Sequence, residues 1–117
     1  MHELAVTQSL INSVIEECKK NDIKNLKKIV VDLGFFTSYV KDSVLFYFDL
    51  LKVNFEILTN VELDINEIKG KIKCKKCGKE SIIDDPYFVF CKTCNSPEVE
   101  IIQGREFIIK DLIMEDD

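Results

Sequence analysis

The sequence predicts an α+β fold: a small domain with two helices and a three-stranded sheet, into which a four-cysteine zinc ribbon is inserted. An apolar stripe at helical spacing opens the chain, strand patterns lie on both sides of a cysteine-rich segment, and that segment contains two C-x2-C pairs. These observations assign residues 1–69 plus 98–117 to an α/β domain and residues 70–97 to the ribbon. The 117 residues suffice for one ordinary domain or for one small domain that carries a smaller insert.

Two segments have the periodicity of amphipathic helices. Residues 3–20 repeat apolar side chains every three or four positions and carry charged residues between them. Cys18 lies on the apolar face, so it is expected to be a buried thiol that acts as a small hydrophobe. A second helix is expected to begin at Asp42 or Ser43, either of which can cap it, and to end near Lys52.

Strand patterns occur before and after the cysteine-rich segment. One is β-branched and almost wholly apolar, and another alternates apolar and polar residues, as a strand with one wet face requires. A bend is expected at Gly104, and the tail 115–117 is expected to be frayed. The predicted strands are residues 28–33, 61–66, 99–101 and 107–113.

The charge distribution is uneven. The net charge is −5 and the pI is about 4.9, which disfavours a general nucleic-acid binder because phosphate neutralisation provides much of such affinity. The segment Lys69–Pro97 nevertheless has a local balance of +4, so the remainder carries −9. No apolar run approaches the roughly 20 residues of a membrane span, and no secretory signal is seen. A cytoplasmic protein is therefore expected.

Four of the five cysteines form the predicted metal site: Cys74, Cys77, Cys91 and Cys94. Two C-x2-C pairs separated by 13 residues can aim four thiolates at one point, which suits a closed structural zinc site. Neighbouring lysines would offset the negative charge of such a centre. A mononuclear iron site would use the same ligands and stays open at this stage.

The single histidine of the chain is His2. A Ser-His-Asp triad, a Cys-His dyad with an internal histidine and a three-histidine zinc site are thereby excluded, and no glycine-rich phosphate loop is present. Next to the terminus, an imidazole lies within chelating reach of the α-amine and the first backbone amides, a planar nitrogen set that suits Ni(II) or Cu(II). The alternative is an arbitrary residue at an exposed chain end.

Several sequence features occur together: the Met1-His2-Glu3-Leu4 opening of an amphipathic helix that carries Gln8-Ser9, the strand sequence Val30-Val31-Asp32-Leu33-Gly34, the paired C-x2-C motifs and the closing segment 99–107. In this combination the chain resembles the HypA family of hydrogenase maturation nickel chaperones. The resemblance extends over the whole length of the chain.

This resemblance implies a non-catalytic protein that binds Ni(II) at its N-terminus and helps to insert it into [NiFe]-hydrogenase. Met1 would supply its amine, His2 its imidazole and an amide nitrogen, and Glu3 a backbone amide that tunes the site. The four ribbon cysteines would hold structural zinc. The implied partners are a HypB-type GTPase and the hydrogenase large subunit, with no nucleic acid and no membrane, for a monomer or homodimer.

Two departures from the family pattern affect these expectations. Some members carry a histidine just after each C-x2-C pair, whereas this chain has Gly78-Lys79 and Asn95-Ser96. A pH-responsive zinc sphere, and a urease role that depends on one, are therefore not expected. Phe35-Phe36 replaces a common glutamate after the strand glycine and indicates core packing or an apolar docking surface.

Two other classes of function fit parts of the sequence. A zinc-ribbon nucleic-acid or transcription accessory protein would use the basic ribbon as its contact, but the ribbon lacks arginine and few aromatic residues are expected at its surface. A rubredoxin-like electron carrier would hold iron in the four-thiolate site.

Overall fold

The computed structural model describes residues 2–116 and has the predicted α+β fold. These residues form two α-helices, six strands and three short 3-10 turns. The helix predicted at 3–20 is confirmed. The helices are α1 (Glu3–Lys20) and α2 (Lys41–Leu51); the strands are β1 (Leu26–Gly34), β2 (Glu62–Ile68), β3 (Gly70–Cys74), β4 (Glu80–Ile83), β5 (Val99–Gln103) and β6 (Phe107–Met114); the 3-10 turns are Phe35–Thr37, Lys52–Asn54 and Glu56–Leu58.

The strands form two three-stranded sheets, with the orders β2-β1-β6 and β4-β3-β5. In the second sheet β3 is antiparallel to both neighbours, and a register shift between Lys71 and Ile72 interrupts its pairing with β5. The chain divides into two compact units. The helical unit contains the described residues of 1–32, 39–66 and 108–117, and the cysteine unit contains 33–38 and 67–107.

These units differ from the boundaries expected from the sequence, which were 1–69 plus 98–117 and 70–97. Strand β5 pairs with β3, so the residues from 98 to 107 group with the cysteines. Strands β3 and β4 were not expected at all. In β3 a buried Ile72 alternates with Lys71 and Lys73, and this single apolar position gives too little periodicity to indicate a strand.

Helix α1 packs an apolar face against α2 in the helical unit. Cys18 is buried there, as expected, and burial followed by the nearby Glu17 charge raises the pKa of its thiol. On α2 the buried side chains are Val44 and Phe48, four positions apart on one face. The buried apolar residues of α1 are Leu10, Ile11, Val14 and Cys18.

The start of α2 differs from the prediction. The helix begins at Lys41 with Val40 in the N-cap position, and no side chain of the cap itself bonds the helix, so neither Asp42 nor Ser43 is the cap. The carboxylate of Glu3 instead accepts a hydrogen bond from the Val40 N–H at 3.0 Å. An acidic group on the opposing helix thus satisfies a backbone donor at this helix start and lies at its positive end.

The remaining strand and tail predictions have mixed outcomes. In β2 Ile65 is buried while Asp64 and Asn66 are exposed, which confirms the alternation. The prediction of a frayed tail is wrong at Glu115. The Glu115 N–H donates to the Asn25 carbonyl, and the Glu115 carbonyl accepts from the Asn25 side chain, both at 2.8 Å. Asp117 lies outside the described residues. No helix within 2–116 is long and apolar enough to cross a bilayer.

Phe35 and Phe36 are both half-buried in the cysteine unit. Their rings meet edge to face, with centroids 5.1 Å apart. A Cβ placed on Gly70 would lie 2.7 Å from the Phe35 ring and 2.8 Å from the Phe36 ring. The two aromatics therefore pack over a glycine, which favours the core interpretation of this pair.

Two glycines bring their backbones together in the cysteine unit. Gly34 donates its N–H to the Glu106 carbonyl at 2.6 Å, and Gly104, at a φ of +113°, accepts from the Phe36 N–H at 2.7 Å. A Cβ on Gly34 would lie 2.2 Å from the Gly104 carbonyl oxygen, a backbone atom that cannot rotate away. The bend expected at Gly104 is confirmed, and it depends on both glycines.

Replacing Gly34 with alanine should destabilise the protein, because the added methyl group would force two backbone segments apart. We expect the free energy of unfolding to fall by about 1–3 kcal/mol. Thermal and denaturant unfolding followed by circular dichroism would measure the change. Lys27→Ala, at an exposed position of the same strand, is the matched control and should change the stability by less than about 0.5 kcal/mol.

Candidate metal centres

The first cysteine pair lies on a tight turn that follows β3. The Cys74 N–H donates to the Lys79 carbonyl at 2.9 Å, and the Gly78 N–H donates to the Cys74 carbonyl at 3.1 Å. Gly78 has a φ of +77°, in the left-handed region that favours glycine. The Lys76 and Cys77 N–H groups point at the Cys74 sulfur from 3.3 and 3.4 Å. This turn is the first knuckle.

The second pair lies on a turn of the same construction. The Cys91 N–H donates to the Ser96 carbonyl at 2.9 Å, and the Asn95 N–H donates to the Cys91 carbonyl at 2.8 Å. Asn95 has a φ of +63°, and asparagine is among the few side chains that tolerate this conformation. The Cys94 N–H points at the Cys91 sulfur from 3.5 Å. We call this turn the second knuckle; its two backbone hydrogen bonds and its N–H···S bond from the second cysteine repeat those of the first.

The two knuckles bring the four predicted ligands together. The Sγ atoms of Cys74 and Cys94 are 3.6 Å apart, those of Cys77 and Cys91 are 3.5 Å apart, and all four lie within 4.8 Å of one another. A tetrahedral zinc site with Zn–S bonds of about 2.3 Å requires sulfurs about 3.8 Å apart. The donor set and its spacing therefore fit zinc, and no cysteine within 2–116 forms a disulfide.

Hydrogen bonds from the knuckle backbones favour the thiolate form of the buried cysteine in each pair. The Cys77 N–H, followed by the Lys76 N–H, lowers the pKa of Cys74. In the second knuckle the Cys94 N–H is the main cause that lowers the pKa of Cys91 to about 6. These backbone donors would also stabilise the sulfurs as zinc ligands.

Cys94 behaves differently because it lies beside other sulfurs. The Ser96 N–H lowers its pKa, but contact with the Cys74 thiol, desolvation and the remaining sulfurs outweigh that effect and raise the pKa to about 11. Four clustered thiols cannot all ionise without a cation to offset the charge. The cluster is therefore built to be completed by a metal.

The predicted nickel-binding residues lie at the start of α1. His2 is exposed and occupies the N-cap position, and its carbonyl accepts from the Val6 N–H at 3.0 Å. Glu3 follows with only 6% exposure. Met1 lies outside the described residues, so the placement of its amine is not part of this geometry.

Two contacts near His2 were not expected from the sequence. The Thr7 hydroxyl, which is fully buried, donates to the Glu3 carbonyl at 2.5 Å. The Val40 N–H donates to the Glu3 carboxylate. The first turn of α1 is thereby fixed to α2, and Glu3 has a structural role that the resemblance does not indicate. The sequence gives one weak signal for this structural role: Glu3 is a polar residue in a contact that is otherwise apolar.

The fold and the four-sulfur cluster define a small α+β protein with a zinc-type structural metal site. The sequence profile of the family described as "HypA: Hydrogenase/urease nickel incorporation, metallochaperone, hypA" matches residues 1–114. The chain belongs to this family, whose members are nickel metallochaperones with a four-cysteine site for structural zinc. The resemblance inferred from the sequence is confirmed.

Individual relatives agree with the family assignment. The hydrogenase maturation factor HypA of Rippkaea orientalis is 36% identical over 99% of this chain and 97% of its own length. The HypA protein of Caldanaerobacter subterraneus is 35% identical over 98% of this chain and 100% of its own. The solution structure of the Ni metallochaperone HypA from Helicobacter pylori, 28% identical, covers 100% of both chains with a TM-score of 0.71. Hydrogenase maturation is thus the family's shared role.

Substituting Cys91 with serine should release zinc and loosen the cysteine unit, because metal binding at such sites supplies folding free energy. Elemental analysis after dialysis and thermal unfolding would report both effects. Cys18→Ala is the matched control, since it removes a buried thiol outside the cluster and should leave the zinc content unchanged. Full zinc occupancy and unchanged stability in Cys91→Ser would contradict the four-ligand site.

Zinc binding at pH 7 should release at least one proton per chain, because Cys94 holds its proton in the metal-free cluster, with a pKa of about 11. The zinc affinity should accordingly fall as the pH is lowered. Calorimetry in two buffers with different ionisation enthalpies would count the protons. A reaction heat that does not depend on the buffer would show that the thiols are already ionised.

Proposed function

We propose that this protein carries Ni(II) at its N-terminus and delivers it to the hydrogenase large subunit together with a HypB-type GTPase. The ligands in this proposal are the Met1 amine, the His2 imidazole and amide nitrogen, and the Glu3 amide nitrogen. Family membership supports nickel incorporation in hydrogenase maturation. The location of the nickel and its route of transfer are the parts that we propose.

The observation that carries the proposal is the position of His2. Its imidazole is exposed, and it stands immediately before the first helical residue, Glu3. The first N–H groups of a helix have no acceptor within the helix. Amide nitrogens at positions 2 and 3 can therefore become ligands without breaking a helical hydrogen bond, whereas the same sequence inside a helix could not.

The chemistry of this donor set suits nickel. An amine, two amides and an imidazole place four nitrogens in one plane, which is the geometry that Ni(II) accepts and that Zn²⁺ does not prefer. Amine and amide nitrogens must lose protons to bind, so nickel affinity should rise with pH. The Glu3 side chain has a different task in this arrangement, because its carboxylate fixes the first turn of α1 to Val40.

A carrier needs a site that a partner can reach, and the exposed His2 supplies one. The structural zinc site is separate in its donors: it uses four thiolates and leaves no position for a substrate. We therefore propose that the protein binds and carries nickel and is not an enzyme. Reduced thiolate ligands are maintained in the cytoplasm, which supports a cytoplasmic location.

The family description names both hydrogenase and urease, and we propose hydrogenase as the client of this chain. The positions that follow the two C-x2-C pairs are Gly78 and Asn95, and both have the left-handed backbone that closes a knuckle. Histidine at these positions would add an imidazole that titrates near neutral pH. Without it, the zinc site offers no such response, so hydrogenase is the client that we propose.

The test is a nickel titration of zinc-loaded protein with a native N-terminus, followed by calorimetry and visible absorption. Wild type should bind one nickel per chain, and His2→Ala should lose this binding because the imidazole is removed. Zinc content and unfolding temperature should not change, since His2 is exposed.

Two further variants make this test specific. Ser9→Ala changes an exposed residue of the same helix and should bind nickel as wild type does. A glycine added before Met1 should weaken binding, because it displaces the amine from the chelate. Tight nickel binding by His2→Ala would refute the terminal site while leaving the family membership intact.

A further inference from the structure

Strand β6 is an outer strand of the sheet β2-β1-β6. Within residues 2–116 no strand pairs with its other side, and the backbone N–H and C=O groups of such an edge can accept a further strand. Natural edge strands are often protected by charged residues or by proline. Only two residues of β6, Lys110 and Asp111, are charged, and none is a proline. The edge is therefore open to strand pairing.

A cleft of about 630 Å³ lies between this strand and the C-terminal half of α1. Ile23, Ile109 and Leu112 line the cleft and are half-buried, so they provide apolar contacts. Helix α1 contributes Glu16 and Glu17, which are both exposed. We call this site the α1–β6 cleft. It places a pocket for side chains directly beside a backbone edge.

The charged groups that line the α1–β6 cleft are mostly acidic. Three carboxylates, those of Glu16, Glu17 and Asp111, accompany one ammonium group, that of Lys110, which leaves a formal charge of −2. The Glu17 carboxylate accepts a hydrogen bond from the Asn21 side-chain amide at 3.2 Å, a neutral donor that does not cancel its charge. A cationic side chain that enters the cleft is therefore attracted.

We propose that the α1–β6 cleft binds an extended segment of a partner protein in which lysine or arginine alternates with apolar residues along one side. The segment would add a fourth strand to the sheet at β6, held by main-chain hydrogen bonds. Because the side chains of a strand alternate between two faces, every second residue would enter the cleft. Its apolar residues would contact Ile109 and Leu112, and its cations would lie near Glu16 and Glu17. The inference does not depend on the nickel site.

Other occupants fit this cleft less well. Strand β6 of a second copy carries one charge of each sign and would leave the acidic lining uncompensated. A nucleic acid or another polyanion would be repelled by the carboxylates. The other outer strand of the sheet, β2, carries Glu62, Asp64 and Glu67, and charged side chains of this kind protect an edge against pairing.

The exposed aromatic residues of the ribbon lie on an acidic loop. Tyr87 and Phe88 are 89% and 63% exposed, which corrects the expectation of few surface aromatics in the ribbon. Asp85 holds them in a turn: its carboxylate accepts from the Tyr87 N–H at 2.9 Å, and its carbonyl accepts from the Phe88 N–H at 3.1 Å. Asp84 and Asp85 give this loop a negative charge, which disfavours a nucleic-acid contact there.

The test is an NMR titration of the zinc-loaded, isotope-labelled, full-length chain with a synthetic heptapeptide. Lysine and valine alternate at the odd positions of the peptide, threonine fills the even positions, and both ends are blocked. Binding should be saturable and should shift the amide signals of residues 13–17 and 109–112 most strongly. A control peptide with glutamate in place of lysine should bind at least about tenfold more weakly.

Two charge-reversed variants locate the binding site. Glu16→Lys/Glu17→Lys should raise the dissociation constant of the lysine peptide at least about tenfold, and α1 should persist because cations suit the C-terminal end of a helix. Glu62→Lys/Asp64→Lys makes the same change of charge at two exposed positions of β2 and should bind as wild type does. Equal losses in the two variants would reveal unspecific attraction to an acidic protein and would overturn the proposal. Circular dichroism and zinc analysis would confirm that each variant is folded.

Methylated peptides test the main-chain hydrogen bonds. Alternate amides of a strand point to opposite sides, so methylating the third and fifth amides of the peptide, or the fourth and sixth, blocks one side only. One of these two peptides should lose binding, and the other should retain most of it. Equal affinities of the two peptides would contradict strand pairing and with it the proposal.

Two further results would also overturn the proposal. One is a lack of saturable binding up to millimolar concentrations of the lysine peptide. The other is a change of the β6 amide signals with protein concentration in the absence of peptide, which would identify a second copy as the occupant. Either result would leave the family membership and the proposed nickel site unaffected, because the lining of the cleft includes neither His2 nor the four ribbon cysteines.

Discussion

The cysteine unit depends on the convergence of four sulfur atoms, and that convergence depends on two backbone turns of the same geometry. Each knuckle directs backbone N–H groups at its buried sulfur and closes through one residue with a positive φ, Gly78 in the first and Asn95 in the second. The sheet β4-β3-β5 has strands of only four or five residues. Sheets this small gain little stability from their own core, so the metal site and the knuckles provide much of what holds the unit together.

Residue periodicity predicted those elements of the helical unit that bury one face in its core. Helix α1 and the alternation of β2 follow directly from it. Strands β3 and β4 could not be predicted this way, because each is short and its pattern is weak: β3 has one buried aliphatic residue, Ile72, and β4 buries Ser81 while it exposes Ile82. The pairing of β5 with β3 was missed for a related reason: the alternating segment Val99-Glu100-Ile101 is suited to either sheet, and its sequence does not indicate which strand it pairs with.

The ligand cluster was predictable because spacing alone brings two C-x2-C pairs to one point, whereas the surroundings of His2 were not. The bond from the Val40 N–H to Glu3 joins residues 37 positions apart, and no local pattern indicates such a contact. Thr7, buried in the first turn of α1, is likewise explained only by its bond to the Glu3 carbonyl. The exposed His2 imidazole thus lies next to a helical turn that these hydrogen bonds hold in place. The metal donor is accessible, while the backbone that carries it is fixed.

The burial of Cys18 has a consequence for metal selectivity. A thiol is a soft ligand that competes for nickel, copper and zinc wherever its thiolate is accessible. This one is 2% exposed, and its environment raises its pKa, so the protonated form persists in an apolar setting. A protein that handles a transition metal thereby keeps its one thiol outside the four-cysteine cluster out of reach, which limits both mis-metallation and oxidative damage at that position.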